Sequence, residues 1–244
     1  MEEKPASSAP QPITSFGKLS GLIRERWPEY VLEIIVIIFS ITISFAFDEW
    51  KDGRHKQELE QTYLKGLYSE IQTDTSQLKE VIAETQQVIQ KTIVLSGLNT
   101  QTAKPTYQQF ADNVRFIFKR PRFIAEDATF SDLKSTGNMQ VISSFSIKNS
   151  LFDYYKKYET IVQVETAELE TTNTIIGPYI LRRFPLAGKV TGTSSVNWVA
   201  LTGETEFQNA LLVRRSTREE LLRDYQQSLA LANRILASIK PQLN

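Results

Sequence analysis

The apolar positions of this chain fall into one uninterrupted run followed by several spaced stripes. The run is Val31 to Phe47, VLEIIVIIFSITISFAF, and its single charge is Glu33, close to one end. Seventeen residues lie at the short limit of the ~17–25 that cross a bilayer as a helix. The flanks extend it: Trp27 and Tyr30 precede the run and Trp50 follows, as aromatic anchors do at both membrane interfaces. Trp27 to Trp50 at ~1.5 Å per residue spans roughly 34 Å, a bilayer core with its edges. Pro28 stands where such a helix can begin without losing a hydrogen bond. The continuation FDEWKDG is no small-x-small cleavage site, so the run reads as an uncleaved signal anchor. The sequence therefore predicts a transmembrane helix over residues 29–50, in contact with the lipid bilayer.

Upstream, residues 1–12 are rich in Pro, Ser and Ala and read as a disordered tail. Phe16, Leu19, Ile23 and Trp27 then recur at helical spacing among Lys18, Arg24 and Arg26, which predicts an amphipathic interfacial segment over 13–28. Downstream, Leu64, Leu67, Ile71, Asp74, Leu78, Val81, Thr85 and Val88 alternate steps of three and four, a heptad-like seam. No proline interrupts residues 29–104, so the anchor continues into a long helix that ends near Leu98, in GLNTQTAKP. Gly66 lies within it and weakens it by ~1 kcal/mol relative to Ala.

A short helix carries Phe110, Val114 and Ile117 and stops before Pro121; another, Thr129 to Asn138, ends at Gly137-Asn138. A long stripe follows through Leu151, Tyr155, Tyr158, Val162, Glu165, Leu169, Thr172, Ile176 and Tyr179, with a stop or kink at Gly177-Pro178. Residues 184–203 read as a loop, with room for a short helix around Trp198. The last helix spans Glu204 to Lys240 on a seam of Leu222, Tyr225, Leu229, Ala232, Leu236 and Ile239. Strand signals are nearly absent. The fold class is all-α: one N-terminal transmembrane helix continuing into a long helix, then an antiparallel helical bundle over 51–244.

Within the anchor, Glu33, Ile37, Ser40 and Ser44 share one face. Ser40 and Ser44 form a small-xxx-small pair that lets helices approach closely, and a membrane carboxylate seeks a partner or the headgroups. Membrane anchoring and assembly are thus assigned to Trp27, Glu33, Ser40, Ser44 and Trp50. The helix seam of Leu64, Leu67, Ile71 and Leu78 is taken to join them in assembly, with self or with another membrane protein. Trp198, in the long loop, is the candidate interaction anchor. Three basic residues in 11–30 (Lys18, Arg24, Arg26) against four in 48–67 (Lys51, Arg54, Lys56, Lys65) do not fix the orientation.

Composition removes most chemistry. Lys+Arg and Asp+Glu both number 28, so the net charge is zero and no global affinity for nucleic acid is expected. The absence of Cys excludes thiolate metal sites and a cysteine nucleophile, and the single His55 cannot build a multi-histidine site. Two Ser-x-x-Lys patterns, at Ser76–Lys79 and Ser131–Lys134, lack the further motifs of acyl-transferring enzymes. Glycine-rich phosphate loops and nucleophile elbows are missing. No enzyme, metal or cofactor is expected. Acidic pairs such as Glu165-Glu168 read as solvated helix faces. Lys119, Arg120 and Arg122, between Phe116, Phe118 and Phe123, suit a helix C-terminus first and a phosphate or anionic-lipid site second.

The segments EYVLEIIVIIFSITISFAFDEWKDGRHKQELEQTYLKGLYSEI and ATFSDLKSTGNMQVI together resemble a group of uncharacterised bacterial single-pass inner-membrane proteins, a domain of unknown function. The likeness rests on Glu33, on Asp48 and Trp50 at the membrane junction, and on Tyr63, Leu64 and Leu67. It continues in Leu133, Lys134, Ser135, Gly137 and Asn138, then Tyr154 and Tyr155. It implies an anchor with its N-terminus inside and a helical domain in the periplasm, and it supplies no catalytic residues. The N-terminal tail departs from the family in being poor in Lys and Arg. Two functions are compatible with all this: assembly in an envelope complex, or a ligand-sensing bundle that signals through a partner membrane protein.

Overall fold

The computed structural model describes residues 16–98, 106–184 and 198–243, with side chains from Trp27 onward and not at position 198. The expected tail 1–12 and most of the 184–203 loop lie outside the described residues, as does the Trp198 side chain. Every regular element among the described residues is helical. In order these are α1 (Phe16–Ser96), α2 (Tyr107–Arg115), α3 (Ala128–Ser135), α4 (Phe145–Thr171), α5 (Gly177–Arg183), α6 (Trp198–Leu201) and α7 (Thr205–Ile239). Two compact units divide the chain, residues 1–56 and 57–244, and α1 contributes to both.

In the first unit, α1 is helical from Phe16 and runs through Pro28, which lies inside the helix. The boundary expected there between an interfacial segment and the anchor is therefore not a helix break. Among the described residues one helix is long and apolar enough to cross a membrane, with a mean hydropathy of 2.3 in its most apolar stretch and none of that stretch buried.

The second unit is an up-down-up-down arrangement. One apolar cluster gathers Leu64 to Val81 of α1, Ile147 to Ile161 of α4 and Leu221 to Ile239 of α7. Another gathers Leu95 of α1, Ile176 to Phe184 around α5, and Phe207 to Leu211 of α7. The α1 and α4–α5 legs thus run from the first cluster to the second, and α7 runs back. The remaining descending leg is α2, then an extended stretch, then α3: Phe110, Val114 and Ile117 sit in one cluster, and Phe123, Phe130 and Leu133 in the other.

The local chemistry fits these elements. Thr106 and Gln109 close a capping box on α2, and the Ser144 hydroxyl accepts from the Ile147 N–H at the start of α4. Gly137 ends the α3 region at φ 74°, the left-handed conformation that an L side chain resists. Between α4 and α5 the helix takes one π turn, Thr172–Ile176, where the Gly177 N–H reaches back to the Thr172 carbonyl. Pro178 has no N–H to continue the ladder. The extra residue shifts the buried stripe, so Ile176 is enclosed and Ile175 is 61% exposed.

The expected seam of α1 is buried at all eight positions, and the stripe continues through Thr92 and Leu95. On α4 and α7 the buried stripe lies one residue earlier than expected at several turns. Ile161 and Glu168 are buried where Val162 and Leu169 were expected, and Leu221, Ser228 and Ile235 where Leu222, Leu229 and Leu236 were. The displaced aliphatics are half-buried on the shoulders of the core.

Candidate functional site

Leu64, Leu67, Ile71 and Leu78 are wholly enclosed within the chain's own bundle. Each such burial is worth ~1.5–3 kcal/mol of folding, and an enclosed side chain is not available to a second molecule. Their expected part in assembly is thereby corrected: the seam is intramolecular. The anchor residues stand differently. Trp27 is 64% and Trp50 56% exposed, and Glu33, Ser40 and Ser44 are exposed too. The Ser40 hydroxyl donates to the Val36 carbonyl at 2.7 Å, Thr42 to Ile38 at 2.8 Å and Ser44 to Ser40 at 2.9 Å. Bonded back to the helix in this way, the hydroxyls need no external partner. Arg54 lies over the Trp50 ring at 5.3 Å.

The bundle holds its unexpected chemistry within the first apolar cluster and between it and the second. The descending leg is not helical at 119–127, and extended backbone inside a bundle has no neighbouring strand to bond with. Its polar groups need partners, because an unmade buried hydrogen bond costs ~1–3 kcal/mol. Side chains of the long helices supply them. Arg214 donates to the Lys119 carbonyl at 2.5 Å, and Arg218 to the Pro121 carbonyl at 2.8 Å. The Phe123 N–H donates to Glu165 Oε1 at 3.0 Å, and the Glu126 N–H to Asp74 Oδ1 at 2.9 Å. Tyr155 donates to the Glu126 carbonyl at 2.9 Å.

A second tier holds those partners in place. Glu168 sits between the two arginines, one carboxylate oxygen bonded to Arg214 and the other to Arg218. Tyr225 donates to Glu165 Oε1 at 2.7 Å, and Tyr154 to Asp74 Oδ2 at 2.7 Å. Arg214 and Arg218 are each 1% exposed, and Glu165 and Glu168 each 5%. The reading of Glu165 and Glu168 as a solvated face is therefore wrong: both are buried because both are ligated. Of the four tyrosines that the helical spacing places at core or seam positions, Tyr154, Tyr155 and Tyr179 are buried and Tyr158 is half-buried against the first cluster.

The electrostatics follow. Burial pushes the Asp74 carboxyl up to about 6, against the hydrogen bonds from Glu126 and Tyr154 that favour its charged form. Burial lowers the Arg214 guanidinium from its ordinary value; Glu168 opposes this, and the nearby Arg218 and Arg120 charges add to it. Burial likewise raises the Tyr154, Tyr155 and Tyr225 hydroxyls far beyond the range of titration, so they act as fixed donors.

Beside this layer opens a cleft of about 320 Å³ lined by Arg120, Arg122, Glu165, Thr166, Glu168, Leu169 and Arg218. Arg122 and Arg120 belong to the basic stretch noted in the sequence. Arg122 pairs with Glu165 at 3.4 Å, and Arg120 donates to Asn173 Oδ1 at 3.2 Å. Arg214 and Arg218 carried no signal in the sequence, since a basic residue on a long amphipathic helix is ordinarily solvated. Their one trace is position: both continue the heptad steps of the α7 stripe, Phe207, Leu211, Arg214, Arg218, Leu221, Tyr225.

Comparison with protein-family models, with curated proteins and with solved structures finds no match to this chain.

Proposed function

We propose that this protein is a non-enzymatic, membrane-anchored helical bundle that works in assembly, as a homo-oligomer or as an accessory subunit of an envelope membrane complex. The observation that carries the reading is the anchor. Its apolar stretch is unburied in the single chain, while one face brings together Glu33, Ser40 and Ser44. Small residues on that face favour close helix approach, and Glu33 gains from a partner in or near the bilayer. The family resemblance supports a bacterial inner membrane, crossed once, with the bundle in the periplasm.

The test is the size of the full chain in mild detergent, by crosslinking and native electrophoresis, against Ser40→Leu/Ser44→Leu. A discrete assembly that dissociates in the double variant is expected. A monomer that recovers no partner after crosslinking in membranes would refute the proposal. For the side of the membrane, C-terminal fusions to alkaline phosphatase and to green fluorescent protein are expected to be active and dark, respectively. The second reading, a ligand-sensing bundle that signals through a partner membrane protein, is favoured by one observation, the arginine-lined cleft.

A further inference from the structure

We infer that the cleft between α4, α7 and the extended 119–123 stretch is a binding site for a small ligand bearing a phosphate group. Three guanidiniums line it, those of Arg120, Arg122 and Arg218, with the carboxylates of Glu165 and Glu168, and Arg214 lies behind them on the other oxygen of Glu168. Those carboxylates are already engaged. Glu168 is shared by two arginines, and Glu165 takes the Phe123 N–H, the Tyr225 O–H and Arg122. One charge of the Arg214–Arg218 pair is thus left without a carboxylate of its own, and Arg120 has only the neutral Asn173 amide.

A buried charge is costly unless it is paired, so the one excess charge of the buried Arg214–Glu168–Arg218 group, with the exposed Arg120 adding a second at the cleft's rim, calls for an anion. Arg218 lines the cleft, is 1% exposed, and has an Nε with no hydrogen-bond partner among the described residues. Guanidinium forks match the oxygens of a phosphate, and a dianion neutralises the excess. The cleft's about 320 Å³ sits at the small end of ligand sites, and Leu169 and Thr166 leave a mixed wall for the rest of the molecule. Phosphate can come from a soluble metabolite or from a lipid headgroup; the recognising chemistry is the same.

The test is thermal unfolding of the full chain in mild detergent with increasing inorganic phosphate at constant ionic strength. A saturable rise in Tm is expected, absent with chloride. Arg120→Gln/Arg122→Gln removes two exposed side chains, so it is expected to fold and to bind phosphate at least ~10-fold more weakly. Thr166→Glu, which adds a negative charge at an exposed position of the cleft wall, is the second variant and is expected to weaken phosphate in the same direction. A rise with phosphatidic acid micelles and none with inorganic phosphate keeps the site and assigns it to a lipid headgroup. A shift common to all salts, no shift with either phosphate source, or a phosphate shift in both variants as large as the parent's overturns the inference. None of these readouts depends on the assembly state, so they stand or fall apart from the anchor.

Discussion

Replacing Arg218 by Met separates two accounts of the buried polar layer. If Arg214, Glu168 and Arg218 were only an ion network, Arg218→Met would leave one arginine facing one glutamate. The like-charge repulsion would be gone, and buried ion networks often tolerate apolar replacement or gain from it. If instead the layer exists to satisfy extended backbone, the substitution orphans the Pro121 carbonyl. Its remaining donor, the Tyr225 hydroxyl, is 3.4 Å away and bonds Glu165 better, at 2.7 Å. An unsatisfied buried carbonyl costs ~1–3 kcal/mol, and the lost charged bond to Glu168 adds ~1.5–3 kcal/mol, partly offset by relieved repulsion. The net expectation is ~3 kcal/mol of destabilisation, which in a unit of this size lowers Tm by roughly 6–12 °C. Thermal unfolding of the full chain in mild detergent, followed by far-ultraviolet circular dichroism, reads it directly. Hydrogen exchange adds a local check: the Phe123 amide, bonded to Glu165, is expected to lose protection before the amides of α7. Arg122→Met, on a half-exposed pair, serves as the control at ~1 kcal/mol or less. An Arg218→Met protein within about 2 °C of the parent would refute the backbone-clamp account.

Three further outcomes are expected. Glu168→Gln leaves two buried guanidiniums without their shared carboxylate and is expected to cost ~3–5 kcal/mol, measured by the same unfolding assay. Asp74 has a folded-state pKa of about 6 against an ordinary 3.8, so the folded chain holds that proton more tightly and this residue's contribution to stability falls as pH rises through that window. Asp74→Asn keeps an acceptor for the Glu126 N–H, turns the Tyr154 hydroxyl from donor to acceptor, and removes the titration; the difference from the parent is expected to move ~2–3 kcal/mol in the variant's favour between about pH 4 and pH 6.5, and a constant difference across that range would contradict this. At Gly66 an added Cβ would lie 2.8 Å from the Thr129 hydroxyl, which is itself fixed to Glu70 at 2.6 Å, so Gly66→Ala is expected to destabilise by ~1–3 kcal/mol despite its better helix propensity.

Apolar periodicity was enough to find the long helices, the apolar stretch of α1 that is long enough to cross a membrane, and the breaks near Leu98 and Gly137, because those features follow from where oil-like side chains recur and where Gly and Pro interrupt them. It misplaced the buried face of α4 and α7 for a physical reason. Counting hydrophobic residues prefers Leu169 to Glu168 and Leu229 to Ser228, yet Glu168 and Ser228 are the enclosed ones. What draws Glu168 inward is the pair Arg214 and Arg218, and what draws them inward is the unpaired backbone of a descending leg that abandons helix after Phe118. That demand links residues roughly a hundred positions apart, and no local window of sequence contains it. Pro121 is its one legible origin: a residue that forbids helix in the middle of a bundle leg obliges some distant side chain to replace the missing ladder. Read from that end, a basic residue on a heptad core position is evidence for extended backbone opposite it. The same logic explains why the candidate ligand site lies where it does, since charges brought inside to hold the main chain are the ones left over for an anion.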